Sequence, residues 1–194
     1  MAGRPRIYND ENIIDKAIEV FRGKCFDAAS TDELLAAMGI GKGSFYLNFK
    51  GGKEELYQRS LKRFAENLNR KMEAEMERSG DAMGYIKNLF LKMANIPSAQ
   101  KDRGCYYGDA LVQLSAKDKA NKELAVYLLK DLHRIFTSAV KSGQEQGKVA
   151  KDKDPETLGW YLINFWNGIH ITKRMEKSPE ILKSIIEGNF KLLE

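Results

Sequence analysis

Residues 21–57 read FRGKCFDAASTDELLAAMGIGKGSFYLNFKGGKEELY, and the punctuation of this stretch decides the fold. Ser30 and Thr31 carry hydroxyls that accept from the free N–H groups of a helix's first turn, so a short helix starts there. Leu34, Leu35 and Met38 give it one apolar side, and Gly39-Ile40-Gly41 stops it, because glycine enters a left-handed cap without a Cβ clash. A second short helix opens at Lys42 or Gly43, carries Phe45, Tyr46 and Phe49, and ends at Gly51 and Gly52.

Upstream, Asn9 or Asp10 caps a helix whose Ile13, Ile14, Ala17, Ile18 and Phe21 follow three-four spacing, with an expected stop near Gly23 or Lys24. Downstream, 53–78 reads as a long connector helix with Leu56, Leu61, Phe64, Leu68, Met72 and Met76 on its apolar side, closed by Ser79 and Gly80. Helical patterns continue over 81–95, 102–115, 118–146, 154–175 and from 178 onward. The expected fold is all-α, with about nine helices and no strand. Residues 1–52 form a three-helix unit and 53–194 a larger helical body.

The chain has 194 residues, 43% of them hydrophobic and 30% charged, which suits a globular protein with a core of its own. It shows no signal-peptide pattern and no run of eighteen apolar residues, so no membrane association and a cytoplasmic location are expected. Cys25 and Cys105 have no CxxC spacing, which argues against a disulfide framework or a zinc site. The formal charge of +5 is mild, but basic residues gather on the N-terminal arm and over 42–53. No nucleophile with its base, paired carboxylates or phosphate loop is visible. The GIGKGS string at 39–44 lacks a preceding strand and Walker spacing, so neither an enzyme nor a cofactor is expected.

Two short helices around a Gly39 turn, with a third packed before them, are the helix-turn-helix pattern, whose second helix lies in a major groove. The 21–57 stretch also resembles the TetR family (TetR/AcrR-like repressors), with the likeness strongest from Arg4 to Leu56. The candidate DNA contacts are physically coherent. Arg4 and Arg6 on the arm can reach phosphates or a minor groove. Ser30 and Thr31 offer hydroxyl and backbone N–H groups to a phosphate. Lys42, Gly43 and Ser44 open the second short helix, where small residues permit close approach and Lys42 and Ser44 reach base edges.

The resemblance further implies that the Tyr46 hydroxyl donates to a phosphate, that Asn48 stands where many members carry a histidine, and that Lys53 is a phosphate-binding lysine. Three departures stand out: Cys25 occupies the family's usual glycine, Leu35 a usual alanine, and the Gly51-Gly52 pair adds a residue that changes the angle of Lys53. The resemblance also implies a homodimer on double-stranded operator DNA, released when an unidentified small-molecule effector binds the body.

Candidate pocket residues are Phe64, Leu68 and Met72 on the connector, Phe90 and Met93 on the next helix, and Cys105, Tyr106, Tyr107 and Gln113 beyond it. His133, Phe136 and Trp166 complete the set. Lys101 and Arg103 beside Cys105 would lower its thiol pKa and open an alternative control by thiol modification, whereas a small buried side chain filling a helix contact is the other reading of the same residue; control by a protein partner is a further alternative. WYLINFWNGIHI at 160–171 is apolar nearly all round, so Trp160, Ile163, Asn167 and Ile171, with Ile181, Ile185 and Phe190, are candidates for a two-fold dimer interface.

Overall fold

The computed structural model describes residues 10–97, 100, 102–114 and 119–194, and for Asp10, Gln113 and Leu114 the backbone alone. The Arg4 and Arg6 arm, Lys101 and the Gln113 side chain lie outside the described residues. Within them are nine helices and no strand: α1 (Asp10–Ala28), α2 (Thr31–Met38), α3 (Lys42–Asn48), α4 (Gly52–Ser79), α5 (Ala82–Ala94), α6 (Tyr106–Leu114), α7 (Lys119–Glu145), α8 (Pro155–Met175) and α9 (Pro179–Lys191). None of these helices is long and apolar enough to cross a membrane.

The first helix runs past its expected stop to Ala28, but it is broken at Cys25, whose backbone sits at φ 64°, ψ 172°. That region is essentially reserved for glycine, because a Cβ there crowds the neighbouring backbone. The break explains why sequence rules ended the helix at Gly23 or Lys24.

Ile13, Ala17, Ile18 and Phe21 of α1 are buried together with Leu34, Met38, Phe45, Phe49 and Leu56, so one small core unites α1 to α3 with the start of α4. Farther along, α4 joins the body through Asn69, whose amide donates to Asp131 Oδ2 at 2.5 Å, and through the Arg134–Glu73 pair at 2.9 Å. A single long helix thus touches both regions.

The body core centres on Phe90, which stacks on Phe165 with centroids 4.8 Å apart and meets Trp166 and Phe190 edge-on at 5.5 and 5.4 Å. Helices α7 and α8 approach closely at Gly159, where a Cβ would stand 2.1 Å from Thr137 Oγ1. Asp154 and Ser178 cap α8 and α9, each followed by proline at the first helical position.

Candidate nucleic-acid interface and body cavity

The Ser30 hydroxyl accepts from the Glu33 N–H at 3.2 Å while Glu33 Oε2 accepts from the Ser30 N–H, a complete capping box that fixes the start of α2. Gly39 closes α2 at φ 69°, a left-handed cap that lets the chain turn directly into α3. Phe45 and Phe49 are fully buried beneath α3, with centroids 5.4 Å apart. Their burial turns the opposite face outward: Lys42 and Gly43 are exposed, Ser44 and Asn48 half-buried, and Tyr46 is 48% exposed. Leu47, 77% exposed on the same face, was missed from the sequence. Its register against buried Phe45 and Phe49 was the available signal.

Lys53 does not share this face. Its ammonium donates to the carbonyls of Phe26 and Ala29 at 2.8 and 2.9 Å and lies 4.4 Å over the Phe26 ring. Gly52 starts α4 at φ 65°, and the Lys53 ammonium lies at the end of α1, where a cation is favoured by the helix dipole. Thr31 is half-buried at the first position of α2.

The body contains a cavity of about 220 Å³. Phe64, Leu68, Met93, Cys105, Tyr106, Tyr107 and Trp166 line it, all singled out from the sequence. Arg22, Leu89, Lys92, Ile96, Gly104 and His170 line it too and were not foreseen. Met72, Phe90 and Phe136 are packed into the core and do not line it. His133 does not line it either, lying at the α7–α8 contact with its ring 4.1 Å from Trp160. A larger groove of about 440 Å³ near Asp81, Lys148 and Glu194 is open and edged by charges, whereas the smaller cavity holds buried polar atoms.

Within the cavity, Tyr106 Oη shares a 2.6 Å hydrogen bond with Ser60, and Tyr107 Oη has no hydrogen-bond partner, while Trp166 Nε1 and the His170 ring are left with only weak contacts to the Cys105 sulfur and the Arg103 backbone. Burial, reinforced by Lys173, Arg174 and Arg22, drives the His170 pKa down to about 3. Burial together with Arg174 and Arg22 lowers buried Lys173 to about 8. The expected activation of Cys105 is not found. Its thiol is buried and accepts from the Gly108 N–H at 3.4 Å, and burial raises its pKa, outweighing the hydrogen bonds it receives.

On α8 the residues Trp160, Asn164, Ile171 and Met175 form one exposed stripe, with Met175 83% exposed. Ile181 on α9 and Leu192 just past its end are exposed apolar side chains as well. Ile163 and Phe190 instead face the core, Ile185 packs partly against it, and the Asn167 amide oxygen is buried against Gly108 of α6. An all-round apolar pattern does not separate inward from outward positions, so the sequence mixed the two.

The profile described as "Bacterial regulatory proteins, tetR family" matches residues 13–59, and "Tetracyclin repressor-like, C-terminal domain" matches 85–188. The chain belongs to the TetR family. It is therefore a DNA-binding transcriptional regulator. Among its relatives is the transcriptional repressor DhaR of Mycobacterium sp. (strain GP1), 24% identical over 183 residues that span 94% of this chain and 91% of DhaR. The fold is that of a cysteine-substituted CifR complexed with 26-base-pair operator DNA (TM-score 0.82, 21% identity, 98% of this chain and 100% of that one). It is also that of reduced Escherichia coli NemR (TM-score 0.81, 17% identity, 95% and 96%).

Proposed function

We propose that this regulator is a cytoplasmic homodimeric repressor that sets two copies of α3 into successive major grooves of a near-palindromic operator and leaves it when a small molecule fills the body cavity. The observation that carries the reading is the outward face of α3, where Lys42, Gly43, Ser44, Tyr46 and Leu47 stand clear of a core sealed by Phe45 and Phe49. Lys42 and Ser44 suit base edges or phosphates, the Tyr46 hydroxyl a phosphate, and Leu47 a thymine methyl. Ser30, Thr31 and Asn48 flank them, and Arg4 and Arg6 extend the contact along the backbone. Lys53 acts instead by fixing the end of α1.

In this reading residues 1–52 bind DNA and 53–194 sense the ligand and dimerise, with α4 as the lever between them. Trp160, Ile171, Met175 and Ile181 supply an apolar stripe suited to a two-fold contact with a second copy. A ligand that lowers operator affinity a hundredfold needs roughly 2.7 kcal/mol of preference for the released state.

The test is an anisotropy titration of the purified dimer on DNA from upstream of its own gene, with scrambled DNA as control. Specific, salt-sensitive binding that a small molecule relieves is expected. Specific binding that no small molecule disturbs would remove ligand control, and no preference over scrambled DNA would remove the operator reading.

A further inference from the structure

The cavity's chemistry says more than that something fits there. Its volume of about 220 Å³, filled at the ~0.7 density of protein interiors, holds a molecule of about ten to twelve non-hydrogen atoms. Phe64, Leu68, Leu89, Met93 and Ile96 give it an apolar wall that favours a flat hydrocarbon body. Its polar demands are specific. The fully buried Tyr107 hydroxyl has no hydrogen-bond partner, and the Trp166 N–H, a donor only on a side chain 93% buried, has no better acceptor than the weakly accepting Cys105 sulfur. Burying such donors without acceptors is costly, so the missing occupant carries acceptor oxygens.

Charge points the same way. Arg22 and Lys92 line the cavity, and no aspartate or glutamate does among the described residues. The nearest acids are already engaged: Asp109 pairs with Arg174 at 3.5 Å, and Glu19 holds Arg103 at 2.8 Å, reaching Arg22 only at 3.4 Å. Arg22 lies over the Phe64 ring with its carbon 4.9 Å from the centroid, which holds the guanidinium against the cavity wall.

We propose that the cavity binds a small organic anion, a flat apolar body ending in a carboxylate whose oxygens accept from Arg22 and from the buried donors Tyr107 Oη and Trp166 Nε1. This rests on the reading of the body as a ligand sensor and names its ligand class. Arg22 belongs to α1, the helix that packs against the DNA-facing unit, whereas Tyr107 and Trp166 belong to α6 and α8. A carboxylate held between them draws Arg22 away from Glu19, and Glu19 is the acid that ties α1 to Arg103 ahead of α6. Ligand charge is thereby linked to the position of the small unit.

The experiment titrates the full-length protein by calorimetry with three probes that share one body of suitable size: cinnamate, cinnamamide and cinnamylamine. Cinnamate is expected to bind at least ~10-fold more tightly than cinnamamide, the discrimination of one charge-assisted hydrogen bond, with cinnamylamine weakest. Arg22→Gln should remove that advantage, bringing the cinnamate and cinnamamide affinities to within about twofold of each other. The wild-type comparison of head groups stands even if the variant folds poorly. If the amide or amine binds as tightly as cinnamate, the anion assignment is overturned and the cavity remains a ligand site. If none of the three binds, both the anion assignment and ligand sensing at this cavity are overturned.

Discussion

Cys25→Gly is expected to stabilise the protein, although it deletes a half-buried side chain. At φ 64°, ψ 172° a Cβ-bearing residue carries about 1–3 kcal/mol of backbone strain. Glycine relieves it and gives back about 0.5–1 kcal/mol through the greater freedom of its unfolded chain. The lost contacts of a half-buried thiol cost roughly another 0.5 kcal/mol. The expected net gain is about 1 kcal/mol, or a Tm rise of roughly 2–4 °C for a chain of this length. Thermal melts at one fixed protein concentration would compare the parent, Cys25→Gly and Cys25→Ala, the last keeping the Cβ and hence the strain. Alanine should melt at or below the parent and glycine above it. A glycine variant no more stable than the alanine variant would refute the strain argument.

Two further outcomes follow from the same geometry. His170 titrates near 6.5 when unfolded and near 3 when folded, so below pH 6.5 the unfolded chain takes up a proton that the native one refuses. Its contribution is present above pH 6.5 and is lost as pH falls toward 3, by up to about 1.4 kcal/mol per pH unit; urea melts at pH 7, 6 and 5 should show a drop that His170→Gln reduces, and equal slopes for the two proteins would contradict the burial of this ring. Ile171→Glu places a carboxylate on a side chain 60% exposed in the α8 stripe, so sedimentation at micromolar concentration should show helical monomers, and an unchanged dimer would move the interface elsewhere.

The helix order and the DNA-facing unit were legible because their signals are local. Ser30, Gly39 and the phenylalanines at 45 and 49 each act on the turn in which they sit, and the structure keeps all of them in those roles. The cavity was only half legible. Tyr106, Tyr107 and Trp166 are conspicuous by type, but Arg22 reaches the cavity from a helix more than eighty residues away in sequence, and no periodicity of α1 points there. For Cys105 the sequence left two readings, a thiol activated by neighbouring cations and a buried packing residue, and the three-dimensional packing selects the second by burying the sulfur. In the structure the Lys53 ammonium holds the Phe26 and Ala29 carbonyls, a contact between residues far apart in sequence that no local pattern announces.

The most direct test of the central claim is the salt dependence of operator binding for the parent and for Tyr46→Phe, which keeps the ring against Phe45 and removes only the hydroxyl. If the outward face of α3 meets DNA as proposed, Tyr46→Phe should bind more weakly to operator and scrambled DNA alike, whereas Lys42→Ala, read in parallel, should flatten the slope of log affinity against log salt by about one unit or relax sequence preference. Unchanged affinity, slope and preference in both variants would contradict the placement of the DNA surface on α3.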